Sequence, residues 1–454
     1  MNGALLTNEQ LSASLSVWPD RTGRLALVGR ELAAGRNVRI LVLGGSNSFG
    51  HKTVWWRSTQ SWLSHTFPNG EHEFVDASTP ACGPDWVDMC WKQYVPDKKI
   101  HLVMLEFAVN VLRKAPLHSA STISLESLLR RGLRMGAAVL LVQLSDMRIP
   151  DLPRSSQLKD FSQSAPLSVS VTPHFRFDAL ARHYGVPSVS MQRGVHELWR
   201  ANVVGFRTDD LMEMNESAIH VTPRGHQYVG EMVAHALVLG ASVSQPRTGN
   251  GMRSRLDEQS SVPLPSPLLH STADHLRGSE CFLDASLNSL VTSAAGWNTT
   301  TEYTRTGFPK RGLVAYAPGA MLRFAVPTAA KHAFLALAYL QSYEHMGEAS
   351  IRCARNCQCE PALVNAHRPR MRKSITSLVF MELQHASSRA CIIEVAITSH
   401  STSGEYKWKL LGAITSTWSA ATAARFKREV QTGISQHGAH RGHQIQGSAH
   451  GQGL

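Results

Sequence analysis

One stretch of the chain constrains its fold more than any other. Val38, Ile40, Leu41, Val42 and Leu43 make an apolar, β-branched-rich run that stops at Gly44-Gly45, and Ser46 follows at the turn. Such a run predicts a buried strand of a parallel sheet, and so an α/β fold. Glycines at the strand's end tolerate turns that other residues resist, and the carboxyl end of a core strand is where open α/β sheets bind ligands. A helical pattern over Thr53 to Ser64 follows Asn47-Ser48-Phe49-Gly50. Ser46 is therefore predicted near a helix N-terminus, whose free N–H groups favour an oxyanion.

Three further segments repeat this logic. Pro80-Ala81-Cys82-Gly83-Pro84-Asp85 follows a short strand-like run, Phe74 to Ala77. Ile100 to Ala108 is another apolar strand, ending in Val109-Asn110. Ile219-His220-Val221-Thr222-Pro223 precedes an amphipathic helix from about Gln227 to Leu239. In a parallel sheet the strand ends share one rim, so serine, glycine, asparagine and histidine can converge there.

These four segments resemble the sequence blocks of the SGNH (GDSL-type) hydrolases over roughly residues 37 to 240, in a form similar to a plant and algal two-domain branch. The resemblance implies a three-layer α/β/α, flavodoxin-like domain. It makes Ser46 the nucleophile and His220 the general base, with Gly83 and Asn110 as oxyanion-hole donors beside the Ser46 N–H. A serine hydroxyl attacks an ester only when a base takes its proton, and histidine titrates near the required pH. Preorganised donors then stabilise the oxyanion, and losing one costs on the order of 10²–10³ in rate. The implied reaction is hydrolysis of a small acyl ester, such as acetyl on a glycan, through an acyl-enzyme, with no cofactor and no metal.

The chain departs from the family pattern twice. The position three residues before the base, usually aspartate, is Ser217, and the residue after Asn110 is Val111. The nearby acids Glu216, Glu213, Asp210 and Asp209 are out of the family's register, so which acid, or which backbone carbonyl, orients His220 is open. A degenerate SGNH scaffold that binds glycan, or an O-acyltransferase, is the alternative reading. His51 is expected to face solvent at the helix start, His226 to be a structural residue of the helix, and Trp55, Trp56 and Trp62, at helical spacing, to pack in the core.

At 454 residues the chain suits two domains. Residues 1–36 read as an N-terminal segment with a helix around Arg24 to Ala34, and 37–240 as the hydrolase-like domain. A Pro/Ser-rich excursion at 149–175 is a candidate lid, and 241–279 a flexible linker. From 280 to 418 short apolar runs alternate with Gly, Pro and Ser turns, which predicts an all-β, sandwich-like domain. The tail, 419–454, is expected to be disordered.

The net charge of +12 is uneven, with 24 basic against 21 acidic residues in 1–240 and 22 against 13 in 241–454. Arg368 to Lys373 is the densest basic cluster, but nothing around it resembles a nucleic-acid-reading signature, so a solvated loop, or contact with an anionic polysaccharide, is expected rather than nucleic acid. Seven cysteines are present, five of them in the second domain (Cys281, Cys353, Cys357, Cys359 and Cys391). They favour disulfides over zinc, because C-x3-C-x-C lacks the usual zinc spacing. The sequons at Asn215 and Asn298 agree with a secretory or extracellular setting. No signal peptide and no membrane span is evident.

Overall fold

The computed structural model describes residues 5–50, 53–80, 82–110, 119–144, 173–213, 220–243, 263–269, 279–303, 309–328, 332–369, 374–384, 390–417 and 424. Its contacts divide the chain into two units, Met1–Leu276 and Arg277–Leu454.

The first unit runs α1 (Asn8–Ser14), β1 (Leu15–Val17), α2 (Arg24–Ala33), β2 (Val38–Gly44), α3 (Trp55–Thr66), β3 (His72–Asp76), α4 (Pro84–Met89), α5 (Trp91–Tyr94), β4 (Leu102–Glu106), α6 (Ala120–Arg134), β5 (Ala138–Gln143), α7 (Pro173–Tyr184), β6 (Ser188–Ser190), α8 (Met191–Arg200), α9 (Thr208–Leu211) and α10 (Pro223–Val243). The sheet order is β1-β6-β5-β4-β2-β3. Every neighbouring pair from β6 to β3 is parallel, and only β1 is antiparallel. The apolar run of β2 is an interior strand, flanked by β4 and the edge strand β3, and it is buried on both faces. Ile40 and Val42 join a core with Leu25 and Val28 of α2, Trp55 of α3 and Val229 and Val233 of α10. Leu41 and Leu43 are equally buried on the opposite face.

Two stretches differ from the sequence expectation. The N-terminal segment is not separate from the first domain, because β1 extends the sheet through Leu15 opposite Val189. The expected flexible linker is fixed over 263–269. Leu268 and Leu269 donate their N–H groups to the buried Glu126 carboxylate (2.6 and 3.0 Å), and Arg130 donates to the Pro265 carbonyl (2.6 Å). Pro- and Ser-rich composition reads as flexible, but a buried carboxylate that accepts two backbone donors overrides it. Most of the expected lid and nearly all of the tail lie outside the described residues.

Among the described residues, the named elements of the second unit are the short helix α11 (Asp284–Asn288) and β-strands. Its strands are β7 (Ser279–Leu283), β8 (Val291–Ala295), β9 (Trp297–Tyr303), β10 (Pro309–Ala315), β11 (Met321–Pro327), β12 (His332–Gln341), β13 (Glu348–Arg355), β14 (Ala362–Asn365), β15 (Ile375–Gln384), β16 (Ala390–Ile397) and β17 (Trp408–Ser416). They form two antiparallel sheets, β15-β12-β17-β10-β9, with β7 on β17, and β14-β13-β16-β11-β8. Alternate residues of both sheets meet in one core, among them Leu322 and Phe324 of β11, Leu335 and Leu337 of β12, Ile393 of β16 and Leu410 of β17. Tyr339 stacks on Trp408 there, with ring centroids 5.4 Å apart. The cysteines form disulfides, as expected: Cys353 pairs with Cys359, and Cys357 with Cys391. Among the described residues no helix is long and apolar enough to cross a membrane.

Candidate active site

The site begins where β2 stops. Beyond Gly44 the chain folds into a tight turn in which Ser48 N–H donates to the Gly45 carbonyl (3.1 Å) and Gly45 N–H donates to the Glu106 carbonyl (3.3 Å). Two glycines are required here by space. A Cβ on Gly44 would lie 2.6 Å from Ser48 Oγ, and one on Gly45 would lie 2.2 Å from Asn110 Oδ1. Ser48 anchors the turn's far side, since Trp55 Nε1–H donates to its Oγ (3.0 Å) and Trp56 Nε1–H to its carbonyl (2.7 Å). Both indoles are buried, so these tryptophans brace the turn from the core side. Ser46 stands in the middle of this fixed turn.

His220 arrives from the last loop before α10. An isolated antiparallel bridge joins Met212 to Val221, and Glu213 N–H donates to the His220 carbonyl (2.8 Å). Val221 N–H donates to Asn47 Oδ1 (3.1 Å), which ties the histidine's backbone to the residue after Ser46. The outcome is an Oγ–Nε2 distance of 3.0 Å between Ser46 and His220. On the imidazole's other side, Glu213 Oε2 lies 3.9 Å from Nδ1. The two Asp210 oxygens are engaged elsewhere. One accepts from the Gly205 and Arg207 N–H groups (2.7 and 3.1 Å), and the other faces Arg224 at 3.6 Å. Ser217, Glu216, Val111 and His51 lie outside the described residues. His226 is buried in the first turn of α10, in keeping with a structural role.

Asn110 and Gly83 complete the group. Asn110 N–H donates to the Phe107 carbonyl (2.9 Å), closing a turn at the end of β4. Its side chain folds over Gly45, with Oδ1 buried against that glycine. Gly83 immediately precedes α4, at the end of a loop held along β2 by Thr79 N–H donating to the Gly44 carbonyl (2.9 Å). A Cβ on Gly83 would lie 3.8 Å from the Asn110 carbonyl oxygen, so these two segments are neighbours. Ser46 thus meets His220 directly, Asn110 lies against the neighbouring Gly45, and Gly83 lies near the backbone of Asn110.

Glu106 was not among those four. It is the last residue of β4, fully buried, and its Oε2 accepts from Ser48 Oγ–H (2.8 Å). Burial pushes its carboxyl up to about 7, against the opposing pull of hydrogen bonds from Ser48 and Gly45. A lone acid in LVMLEFA was the available signal.

No family model matches the chain, and no curated protein matches its sequence. Solved structures do match. A two-domain esterase (CEX) active on acetylated mannans superposes with a TM-score of 0.65 at 18% identity, covering 90% of this chain and 99% of that one. The same esterase co-crystallized with mannopentaose gives 0.64 at 18% identity, over 90% and 98% of the two chains. Axe2, an acetylxylan esterase from Geobacillus stearothermophilus, covers 44% of this chain and 94% of its own, with a TM-score of 0.33 and 12% identity. The likeness to the mannan esterase shows the fold: an α/β domain followed by an antiparallel β domain in one chain.

Proposed function

We propose that the chain is an SGNH-type serine esterase that hydrolyses small acyl esters, with acetyl groups on a glycan as the substrate class. The 3.0 Å contact between Ser46 Oγ and His220 Nε2 carries this reading. The fold shared with an esterase active on acetylated mannans supports it.

The chemistry follows from the atoms in place. His220 Nε2 takes the Ser46 proton as Oγ attacks the ester carbonyl. The carbonyl oxygen becomes an oxyanion beside the Ser46 N–H, the Gly83 N–H and the Asn110 amide. The Asn110 amide packs against Gly45, next to Ser46, and its Nδ2 is the donor assigned to the oxyanion. His220 returns the proton to the departing sugar hydroxyl, leaving acyl-Ser46. Water then attacks the acyl carbon, gives its proton to His220, and the acid is released as Ser46 regains its hydrogen. Glu213 takes the part of the missing in-register aspartate, facing Nδ1 and favouring the imidazolium formed in each half-reaction.

The test is hydrolysis of 4-nitrophenyl acetate and of acetylated mannan by the purified chain and by Ser46→Ala. Turnover that disappears in the variant is expected. Equal rates in the two proteins would refute the esterase reading.

A further inference from the structure

We infer that Glu106 is a positioning residue of the Ser46 site, a role that rests on the esterase reading above. Its buried side chain fixes the turn carrying the nucleophile to the strand carrying Asn110.

Glu106 reaches the turn twice. Its carbonyl accepts from Gly45 N–H (3.3 Å), and its carboxylate accepts from Ser48 Oγ–H (2.8 Å). These contacts bracket Ser46, one residue before it and two after. The same Ser48 hydroxyl accepts from Trp55 Nε1–H (3.0 Å), so a single chain of hydrogen bonds runs from α3 through the turn into β4. Four residues past Glu106 the chain delivers Asn110, whose side chain lies against Gly45. Nucleophile and oxyanion donor thus come from two segments that the pair Ser48–Glu106 ties together on the core side of the turn.

A carboxylate is a costly choice for this duty. Glu106 is fully buried, and Oε1 is without a hydrogen-bond partner. Burial raises the carboxyl toward neutrality, and no charged side chain among the described residues offsets it. An apolar residue would fill the space without that penalty, but it could not hold the Ser48 hydroxyl. The hydrogen bond to the turn is what the acid provides there. A displacement of the order of 1 Å at a nucleophile can cost about 10²-fold in rate.

Four variants test this: Glu106→Ala, Glu106→Gln, Ser48→Ala and the double variant Ser48→Ala with Glu106→Ala, each assayed on 4-nitrophenyl acetate beside the wild type and Ser46→Ala. Glu106→Ala is expected to lower kcat on the order of 10²-fold with KM within about twofold. Glu106→Gln keeps an acceptor for Ser48 and is expected to recover most of that loss. Ser48→Ala combined with Glu106→Ala should lose no more than the worse single variant, because both remove one interaction. Hydrogen exchange at the Trp55 indole gives a reading independent of turnover. It should quicken in Glu106→Ala and return in Glu106→Gln. An unchanged kcat in Glu106→Ala, additive losses, or unaltered indole exchange would overturn the role. Wild-type activity in Ser46→Ala would instead sink the esterase reading, and the indole exchange would still decide whether Glu106 holds the turn.

Discussion

Replacing Glu106 with glutamine isolates the protonation of one buried group, and its effect on stability can be worked from the structure. The carboxyl is raised from 4.5 to about 7 in the folded chain. Between those two values the folded state holds a proton that the unfolded state has released, so stability falls as pH rises. Below about 4.5 both states are protonated and nothing is lost, and above about 7 the loss is complete. At about 1.4 kcal/mol per unit of pKa difference the full change is about 3 kcal/mol. Glutamine is neutral at every pH and lacks this term, whereas any cost of placing its amide beside the unpartnered Oε1 position is the same at all pH values. The assay is urea unfolding of both proteins from pH 4 to pH 8.5, followed by tryptophan fluorescence, since Trp55 and Trp56 sit next to the site. The variant should gain about 3 kcal/mol on the wild type between the two ends of the range, with the gain developing between about pH 4.5 and 7. A difference that stays constant across that range would refute the reasoning, because it would mean that Glu106 ionises in the folded chain as easily as in water.

Two other perturbations follow from the geometry. Glu213→Gln should lower kcat on acetate esters about tenfold or more while leaving the fold intact, because it removes the charge facing His220 Nδ1. Asp210→Asn should leave kcat near wild type and instead weaken the turn before α9; equal kcat losses in the two variants would remove Glu213 from its assigned place. In the β domain, Cys357→Ser opens a bond between residues 34 apart, and the chain-entropy estimate gives a loss of about 4 kcal/mol, read as a lower calorimetric transition for that domain.

The features legible in the sequence were those with a local physical cause. The run into Gly44-Gly45-Ser46 declared a buried strand and a tight turn, because periodicity and the lack of a Cβ speak within ten residues. The apolar runs between turns over 280–418 declared a β domain for the same reason. Strands β8 and β9 were not legible, since VTSAA and WNTTTEY are exposed over most of their length and carry little apolar alternation. The three residues of β1 had no signal at all, because their strand geometry is set by pairing with β6, more than 170 residues away. Glu126 likewise fixes 263–269 from 142 residues away, which no local composition could reveal. Glu106 stood in plain view within an apolar strand, but its meaning lay with Ser48, 58 residues earlier.

The placement of Glu213 bears on what Ser217 does to the site. An acid in a Ser–His system orients one imidazole nitrogen and favours the charge that forms on the ring. Neither task requires a fixed spacing along the chain, only a carboxylate within reach of Nδ1. The bridge between Met212 and Val221 supplies that reach, because it sets Glu213 across from His220 with their backbones hydrogen-bonded. A side chain carried on such a bridge sits at the surface, and Glu213 is about half exposed, at 52%. In the mechanism proposed above, solvent screening there would weaken its pull on the imidazolium relative to a buried acid. The serine and asparagine positions lack this freedom, since each follows the end of a core strand within a hydrogen-bonded turn. The expected consequence is a graded site, in which loss of Glu213 slows the reaction and loss of Ser46 ends it.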